Sequence, residues 1–312
     1  MVAGEGGMNA PLITAPGAYS GIDNEDYHRN PDLLPAPSIS SSGLKTLLNR
    51  SPRHYWYDSP LNPERPPESE KAHFRVGKAA HDVLLLSDRW PECYHVLPEG
   101  FSYAKTKQFA DAIAEAEAAS QLGKCVLRYE EAATVMAMAE SLRANQFAAA
   151  ALSNGESEVT LVWQDPETGV WLRARPDFLP AKRLIIPDLK TAADGSPKAF
   201  ARAIAQFGYH QSAALYADGI KTIFGALPTN WLHVVMEKEP PHVVSLYELP
   251  GEDIERGRWL NRKAIRRFAE CLSADKWPGY ADEPMQIGLP YWARKQVDDD
   301  TTLHDAAWSA AA

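Results

Sequence analysis

Residues 183–191 of the chain read RLIIPDLKT, a short apolar run that leads into two charged residues, Asp188 and Lys190. Such a run is typical of a buried β-strand. Because side chains alternate along a strand, Asp188 and Lys190 are expected on one face, while Leu189 faces the other way and keeps its backbone carbonyl near them. Pro187 cannot donate a ladder hydrogen bond, so the strand is expected to be distorted or to lie at a sheet edge there.

Two further segments carry residues of related chemistry. The segment VGKAAHDVLLL, residues 76–86, contains His81, and WLRARPDFLP, residues 171–180, contains Asp177. One imidazole, two carboxylates and a lysine are the groups that metal-assisted cleavage of a phosphodiester needs. Taken singly, each residue has an ordinary explanation: His81 as a satisfied core histidine, and Lys190 as the ion-pair partner of the acid two residues before it. Their combination favours a metal-dependent site.

The hydrophobic pattern changes along the chain from helical spacing to strands and back to a helix. Helices are expected over residues 71–88, 104–120, 128–152, 196–224 and 252–274, and strands over 158–163, 170–179, 184–191, 231–237 and 242–249. The first three strands are expected to form an antiparallel meander. This order predicts an α/β fold, a mixed central sheet flanked by helices with an N-terminal helical elaboration.

One domain is expected over residues 16–295. Residues 1–15 are rich in Gly, Ala and Pro and are expected to be disordered, and residues 296–312 are expected to form a flexible tail.

Composition narrows the class of protein. The 312 residues carry a net charge of −9 and three widely spaced cysteines. The cysteines fit neither a disulfide framework nor a metal knuckle, so a reducing cytoplasm is the expected location. No apolar run approaches the roughly 20 residues of a membrane span, so no membrane association is expected. The acidic balance argues mildly against nucleic acid, although binding depends on local patches rather than on net charge.

One local basic patch is RGRWLNRKAIRRF, residues 256–268, which holds six basic residues and no acid. Arg262 and Arg266 are four residues apart and share one helix face, so we expect them to track a DNA backbone. The alternative is a solvated helix face beside the acidic segment GEDIE.

A serine-rich helix start lies in SISSSGLKTLLNRSP, residues 38–52. Free backbone N–H groups and the helix dipole favour an anion there, so Ser40, Ser41 and Ser42 are candidates to hold a terminal 5′-phosphate, with Arg75 as a candidate partner. The alternative is a plain helix N-cap.

The order of these motifs resembles that of a known group of enzymes. A GxxxH pattern ending at His81, then PD, then DxK, then a tyrosine-rich helix is similar to the PD-(D/E)xK nuclease superfamily. More closely, the chain resembles the exonuclease VIII (RecE-like) and phage lambda exonuclease branch, whose openings are similar to GIDNEDYH, SISSSGLKTLLNRSP and FRVGKAAH here. The fold that this implies is a restriction-endonuclease-like sheet.

The resemblance also implies roles for single residues. The implied metal ligands are His81, Asp177, Asp188 and the Leu189 carbonyl, and the implied catalytic residues are Lys190, Asp177, Asp188 and Glu158. Glu158 corresponds to an acid that some relatives place near a second metal ion, although Glu156 is only two residues away.

On the helix, FGYHQSAALYADG carries two tyrosines of the family pattern, Tyr209 and Tyr216, which are implied to bind DNA. Relatives often have a glutamine three residues after the first tyrosine. Here that position is Ser212, and Gln211 beside it is the candidate for the glutamine's role.

The function implied is that of a Mg²⁺-dependent 5′-to-3′ exodeoxyribonuclease on linear double-stranded DNA, with Mn²⁺ as a substitute ion. The family further implies a ring-shaped homo-oligomer that takes double-stranded DNA ends, and a single-strand annealing protein as partner in phage or prophage recombination. The alternatives are an endonuclease of the same fold, or a noncatalytic DNA-binding phage protein, which the intact set of His81, Asp177, Asp188 and Lys190 argues against.

Overall fold

The computed structural model describes residues 12–66, 72–86, 89–102 and 107–310 of the protein. The helices are α1 Asn24–Arg29, α2 Ser41–Asn49, α3 Pro52–Asp58, α4 Ala72–Leu85, α5 Trp90–Cys93, α6 Ala110–Gln121, α7 Tyr129–Ala144, α8 Gln146–Ala151, α9 Pro197–Phe207, α10 Tyr209–Phe224, α11 Gly251–Ala274 and α12 Tyr291–Ala310. The strands are β1 Gly17–Tyr19, β2 Ser38–Ser40, β3 Tyr94–Val96, β4 Cys125–Leu127, β5 Gly155–Ser157, β6 Thr160–Gln164, β7 Trp171–Ala174, β8 Phe178–Pro180, β9 Ile185–Ala192, β10 Asn230–Glu237 and β11 Val244–Glu248.

Two mixed sheets form the centre of the fold. One has the order β1-β6-β7-β2, in which β2 pairs parallel to β7 and the other pairs are antiparallel. The other has the order β11-β10-β9, in which β9 and β10 are parallel and β10 and β11 are antiparallel. Two short two-stranded ladders, β3-β4 and β5-β8, complete the described strands. The expected mixed α/β class, with mixed sheets flanked by helices, is confirmed.

The expected antiparallel meander is wrong in its third strand. β6 and β7 do pair antiparallel, but β9 pairs with β10, which follows it in sequence after α9 and α10, and the pairing is parallel. The second strand ends at Ala174 because Pro176 cannot extend a ladder, and the short β8 turns back to pair with β5. β9 therefore lies at an edge of its sheet, as Pro187 indicated.

Two of the expected helices are each divided into two. The helix expected over residues 196–224 begins as predicted, with Ser196 as N-cap and a proline in its first turn, but is interrupted at Gly208. Gly208 has φ +63°, a left-handed conformation that ends α9 and starts α10. The helix expected over residues 128–152 is interrupted at Asn145, whose side chain caps α8 by accepting from the backbone N–H groups of Phe147 and Ala148.

Residues 1–15 were expected to be disordered, and residues 1–11 of this segment lie outside the described part of the chain. Residues 12–15 do not fit that expectation, because Ile13 donates its backbone N–H to the Leu33 carbonyl at 2.9 Å and its side chain is only 2% exposed. Ile13 packs with Leu33, Val162 and Trp171 in a small apolar cluster. The sequence-based expectation missed this buried side chain because the surrounding residues are rich in Gly and Pro.

The chain divides into two compact units, Met1–Trp277 and Pro278–Ala312. The second unit contains α12, a helix in a segment without Gly or Pro, so part of the expected flexible tail has helical backbone. The domain boundary near residue 295 and the flexibility of the tail stay predictions. No described helix combines the length and apolar composition that crossing a membrane requires.

Most of the core lies on two sides of the central strands. One cluster joins α2, α10 and α11 to the β6–β7 pair through side chains such as Leu44, Trp163, Leu215 and Phe268. A second cluster joins α4 and α7 to β9 and β10 and includes Leu189. Because Leu189 enters this second cluster, Asp188 and Lys190 face the other way, as the alternation predicted. Burial of these apolar faces holds β9 between two helical layers.

The packing of α11 on α10 depends on a glycine. An added Cβ at Gly257 would lie 2.2 Å from the His210 carbonyl oxygen, a distance that no real Cβ contact reaches. We expect Gly257→Ala to lower the free energy of unfolding by about 1–3 kcal/mol, because the two helices must move apart. The matched control is Gly251→Ala, at the start of the same helix, where an added Cβ meets nothing within 4 Å. Urea unfolding of both variants measures the difference, and an equal stability of the two would contradict the close packing.

Candidate active site

The carboxylate of Asp188 is buried on β9, with 5% of the residue exposed. Lys190 Nζ lies 2.5 Å from Asp188 Oδ2, and His233 Nδ1 lies 2.9 Å from the same oxygen. His233 reaches it because the parallel register of β9 and β10 sets these two residues side by side. Burial by itself raises the pKa of Asp188, but Lys190 and His233 outweigh burial and hold that pKa below its usual value.

Asp177, the residue before β8, contacts both β9 and α4 through its two carboxylate oxygens. One of its carboxylate oxygens, Oδ2, accepts the backbone N–H of Leu189 at 2.7 Å. The other, Oδ1, lies 3.1 Å from His81 Nε2. Lys190 Nζ is 3.9 Å from Asp177 Oδ2 and donates to the Leu189 carbonyl at 2.9 Å. The two acids predicted from the PD and DxK motifs therefore share Lys190, although they come from different segments.

His81 reaches the acids from α4. Gly77, one turn earlier on that helix, lies so close to β9 that an added Cβ would be 3.1 Å from Thr191 Oγ1. The glycine of the GxxxH pattern thus allows the helix to approach the strand. Burial lowers the pKa of His81, but the carboxylates of Asp177 and Glu158 outweigh it and raise that pKa to about 9.

Glu158 faces the other side of the imidazole, with its Oε1 3.5 Å from His81 Nδ1. The residue has φ +57°, a left-handed conformation that non-glycine residues adopt at a cost of order 1 kcal/mol. The sequence predicted that Glu158 is the first residue of a strand, but in the structure Glu158 lies in the turn between β5 and β6. Burial, opposed by His81, raises the pKa of Glu158. Glu156, the alternative acid, accepts instead from the Ser20 hydroxyl at 2.7 Å.

Three of these groups could bind a metal ion together. One ligand atom from each of His81, Glu158 and Asp177 lies within 4.8 Å of the other two. Two carboxylates and one imidazole form a donor set that suits Mg²⁺ or Mn²⁺, so the residues fit a divalent cation. Asp188 and the Leu189 carbonyl, which the resemblance also implied as ligands, contact Lys190 in this structure, and their part in metal binding stays a prediction.

A cleft of about 1090 Å³ opens beside this group. Its lining includes His81 and Glu158 together with the cationic side chains of Arg75, Lys78 and Arg175. Arg75 also pairs with Glu131 at 3.2 Å. The lining also includes the acids Asp23, Asp82 and Glu92, so the cleft presents side chains of both charges next to the candidate metal ligands.

Of the residues expected to bind a terminal phosphate, the serines have local partners. Ser40 Oγ caps α2 by accepting the Gly43 N–H at 3.4 Å, and it lies 3.0 Å from Ser42 Oγ. Ser41 is buried, with its hydroxyl 2.9 Å from that of Ser212. The plain N-cap geometry expected as the alternative is thus present at Ser40.

The residues expected on the tyrosine-rich helix lie at different depths. The ring of Tyr209 lies 5.2 Å from Lys190 Nζ, so the structure brings it to the site. Tyr216 packs against Trp231, and burial raises its pKa well above the usual value, with the acids of the site adding to the effect. Gln211 is 3% exposed, and its Oε1 has no hydrogen-bond partner within the described part of the chain.

Arg262 and Arg266, the two residues of the basic patch that were expected to bind DNA, form ion pairs with acids outside the candidate active site. Arg262 Nη1 lies 2.8 Å from Asp165 Oδ2, and Arg266 Nε lies 2.5 Å from Glu167 Oε1, both acids of the turn between β6 and β7. Arg262 lines a separate cavity of about 450 Å³ that shares no lining residue with the cleft at His81. These charges are already paired within the chain, and their part in DNA binding stays a prediction.

His233 and Arg175 are site residues that sequence reasoning missed. His233 is 1% exposed. It is a polar residue in the otherwise largely apolar strand NWLHVVME, and this contrast is the feature of the sequence that could have identified it. Arg175 binds Thr160 Oγ1 through Nε at 3.0 Å and the Ile22 carbonyl through Nη2 at 3.0 Å, so it fixes the segment before Asp177. Its position before the PD motif was visible, but its partners were not.

The raised pKa of His81 predicts how the stability of the metal-free protein depends on pH. The folded-state pKa of about 9 exceeds the ordinary value of 6.5, so this contribution is fully present below pH 6.5 and is lost as the pH rises through 9. We expect a loss of at most about 3 kcal/mol across this window in EDTA. His81→Gln should remove most of that pH dependence. Urea unfolding at several pH values measures both, and an equal slope in the two proteins would contradict the coupling to Asp177.

Comparisons with known proteins agree with this geometry. A family model described as "PDDEXK-like domain of unknown function (DUF3799)" matches residues 40–286. A crystal structure described as "Putative exonuclease" from Eubacterium rectale is similar over 81% of this chain and 91% of that chain, with 11% identity and a TM-score of 0.57. A structure described as SSO0001 covers 64% of this chain and 87% of that chain, with 17% identity and a TM-score of 0.27, which is too low to compare folds. The search of curated proteins finds no match. The match over residues 40–286 shows that the chain belongs to the PDDEXK-like family DUF3799, with a restriction-endonuclease-like fold.

Proposed function

We propose that this protein is a metal-dependent nuclease that hydrolyses phosphodiester bonds of DNA. The observation that carries the proposal is the meeting of His81, Glu158 and Asp177 with the Asp188–Lys190 pair, within a PDDEXK-like domain. Such a domain supplies a divalent-cation site with a cationic side chain beside it. A bound divalent ion would lower the pKa of a coordinated water and offset negative charge on the reacting phosphate.

The chain's own residues have separate tasks in this proposal. His81, Glu158 and Asp177 would hold the ion, and His81 would have to be neutral to do so. Burial lowers the pKa of Lys190, but Asp188 and Asp177 outweigh burial and hold that pKa above its usual value, so the ammonium stays charged at neutral pH. Lys190 therefore acts as a fixed cation that orients water and stabilises the phosphate, rather than as a base.

The finer proposal is a 5′-to-3′ exodeoxyribonuclease on the ends of linear double-stranded DNA, with Mg²⁺ as its ion and Mn²⁺ as a substitute. It is supported by the resemblance to the RecE-like and lambda exonuclease branch, and by the fold shared with a structure described as an exonuclease. We further propose, on the resemblance alone, a ring-shaped homo-oligomer that works with a single-strand annealing protein in phage or prophage recombination. The three widely spaced cysteines support the proposal of a cytoplasmic location.

The direct test compares a linear duplex with a closed circle of the same DNA. We expect the release of acid-soluble nucleotides from the linear form in Mg²⁺, faster with a 5′-phosphate than without it, and none in EDTA. Cleavage of the circle would instead favour an endonuclease. Release of nothing from either substrate in Mg²⁺ or Mn²⁺ would favour a noncatalytic DNA-binding protein.

Two substitutions separate the metal group from the lysine. Asp177→Asn retains an oxygen for the Leu189 N–H but loses the charge, so we expect it to lose both Mn²⁺ binding and cleavage. Lys190→Met should bind Mn²⁺ and lose about 10²-fold or more in turnover per folded molecule. The control is Lys182→Met, an exposed lysine in the turn before β9, which should match wild type. Calorimetry with Mn²⁺ and single-turnover cleavage measure the two effects, and a Lys190→Met variant of normal turnover would exclude the assigned role.

A further inference from the structure

A second lysine, Lys45, lies near the site but has no task in the mechanism above. It belongs to α2, and its aliphatic stem passes over Gly208, where an added Cβ would lie 2.8 Å from Lys45 Cδ. Its Nζ donates to the Phe207 carbonyl at 3.1 Å and to Ser212 Oγ at 3.0 Å. Ser212 in turn lies 2.9 Å from the hydroxyl of Ser41, one turn before Lys45 on the same helix face.

This arrangement brings α2 against the start of α10, next to the candidate active site. Gly208, beneath the Lys45 stem, directly precedes Tyr209, whose ring lies 5.2 Å from Lys190 Nζ. The charges of Lys190 and Asp188 act on the Lys45 ammonium in opposite directions, the first lowering its pKa and the second raising it. The chain therefore sets a second cation beside the catalytic group through residues from two different helices.

The two lysines differ in how their charges are balanced. Lys190 has a carboxylate oxygen at 2.5 Å, whereas Lys45 has no carboxylate within 4.0 Å in the part of the chain that the structure describes. Its contacts are a neutral carbonyl and a neutral hydroxyl, which use two of its three N–H donors. Burial lowers the pKa of Lys45 to about 8, and the charge of Lys190 adds to that effect. Asp188 opposes this lowering without forming an ion pair with Lys45, so the partly buried cation is incompletely compensated and an anion would be stabilised there.

We propose that Lys45 binds a phosphate group of the DNA strand next to the acidic site, with the Ser41 and Ser212 hydroxyls holding its ammonium in place. The identity of the ligand rests on the proposed nuclease function. The third ammonium donor contacts a non-bridging phosphate oxygen. Because Lys190 is engaged by the acids, Lys45 supplies the charge that holds the strand while Lys190 serves the reacting phosphate.

The test measures binding to a fluorescently labelled duplex by anisotropy across several salt concentrations, in an Asp177→Asn background that prevents cleavage. Lys45→Met retains the stem over Gly208 and loses the charge, so we expect binding to weaken at least about tenfold. The slope of log affinity against log salt should fall by about 0.9, the value for one lost phosphate contact. Lys45→Arg should stay within about threefold of the parent, and the exposed-lysine control Lys182→Met should match it.

A comparison of duplexes with a 5′-phosphate and with a 5′-hydroxyl identifies which phosphate Lys45 binds. A loss confined to duplexes with a 5′-phosphate assigns Lys45 to the terminal phosphate, and an equal loss with 5′-hydroxyl duplexes assigns it to an internal phosphate. Inorganic phosphate should compete with the duplex more weakly in Lys45→Met than in the parent if the terminal phosphate is the ligand.

A purely structural role would give a different result. Lys45→Met would then melt at a lower temperature but would bind the duplex with the affinity and salt slope of Lys182→Met, and this outcome would overturn the proposal. Failure of the nuclease function is separable, because wild-type protein that binds DNA but releases no nucleotides in Mg²⁺ would leave the Lys45 comparison intact. Absence of DNA binding in the parent would overturn both.

Discussion

A single buried carboxylate, that of Asp188, imposes its requirements on the centre of the molecule. A charge removed from water must be paired and hydrogen-bonded, since otherwise it destabilises the fold by several kcal/mol. Lys190 supplies the cation from the same strand face, and His233 supplies a ring nitrogen from the neighbouring strand. The second contact exists because β9 and β10 run parallel in one register. The parallel pairing of β9 and β10 is therefore a condition for the charge balance around Asp188.

The rest of the site is brought to β9 by backbone features rather than by charge. Gly77 allows α4 to approach the strand, which sets His81 against Asp177, and the left-handed backbone of Glu158 turns a third donor towards the imidazole. Gly208 breaks the following helix so that Tyr209 meets Lys190 and the stem of Lys45 can pass. Three positions with unusual backbone requirements thus surround a charged centre that could not assemble on regular elements alone.

The sequence predicted the class of fold, the strand that carries Asp188 and Lys190, and their common face, because these depend on local alternation. It did not predict the partner of that strand, since nothing within residues 183–191 records that β10 follows after two helices. For the same reason His233 was missed, although it stands out as polar in an apolar strand. The pairing of Arg262 and Arg266 with Asp165 and Glu167 was equally hidden, because it joins segments about a hundred residues apart.

Asp177 also completes the hydrogen bonding at the edge of β9, because its carboxylate accepts the Leu189 N–H at a place where the sheet provides no further strand. A buried backbone N–H without a partner is costly, so this aspartate has a structural task as well as its part in the proposed chemistry. One side chain of the PD motif thus joins the backbone order of the strand to the proposed metal site, whereas the glutamate is held towards the same site by a left-handed turn that brings a backbone cost.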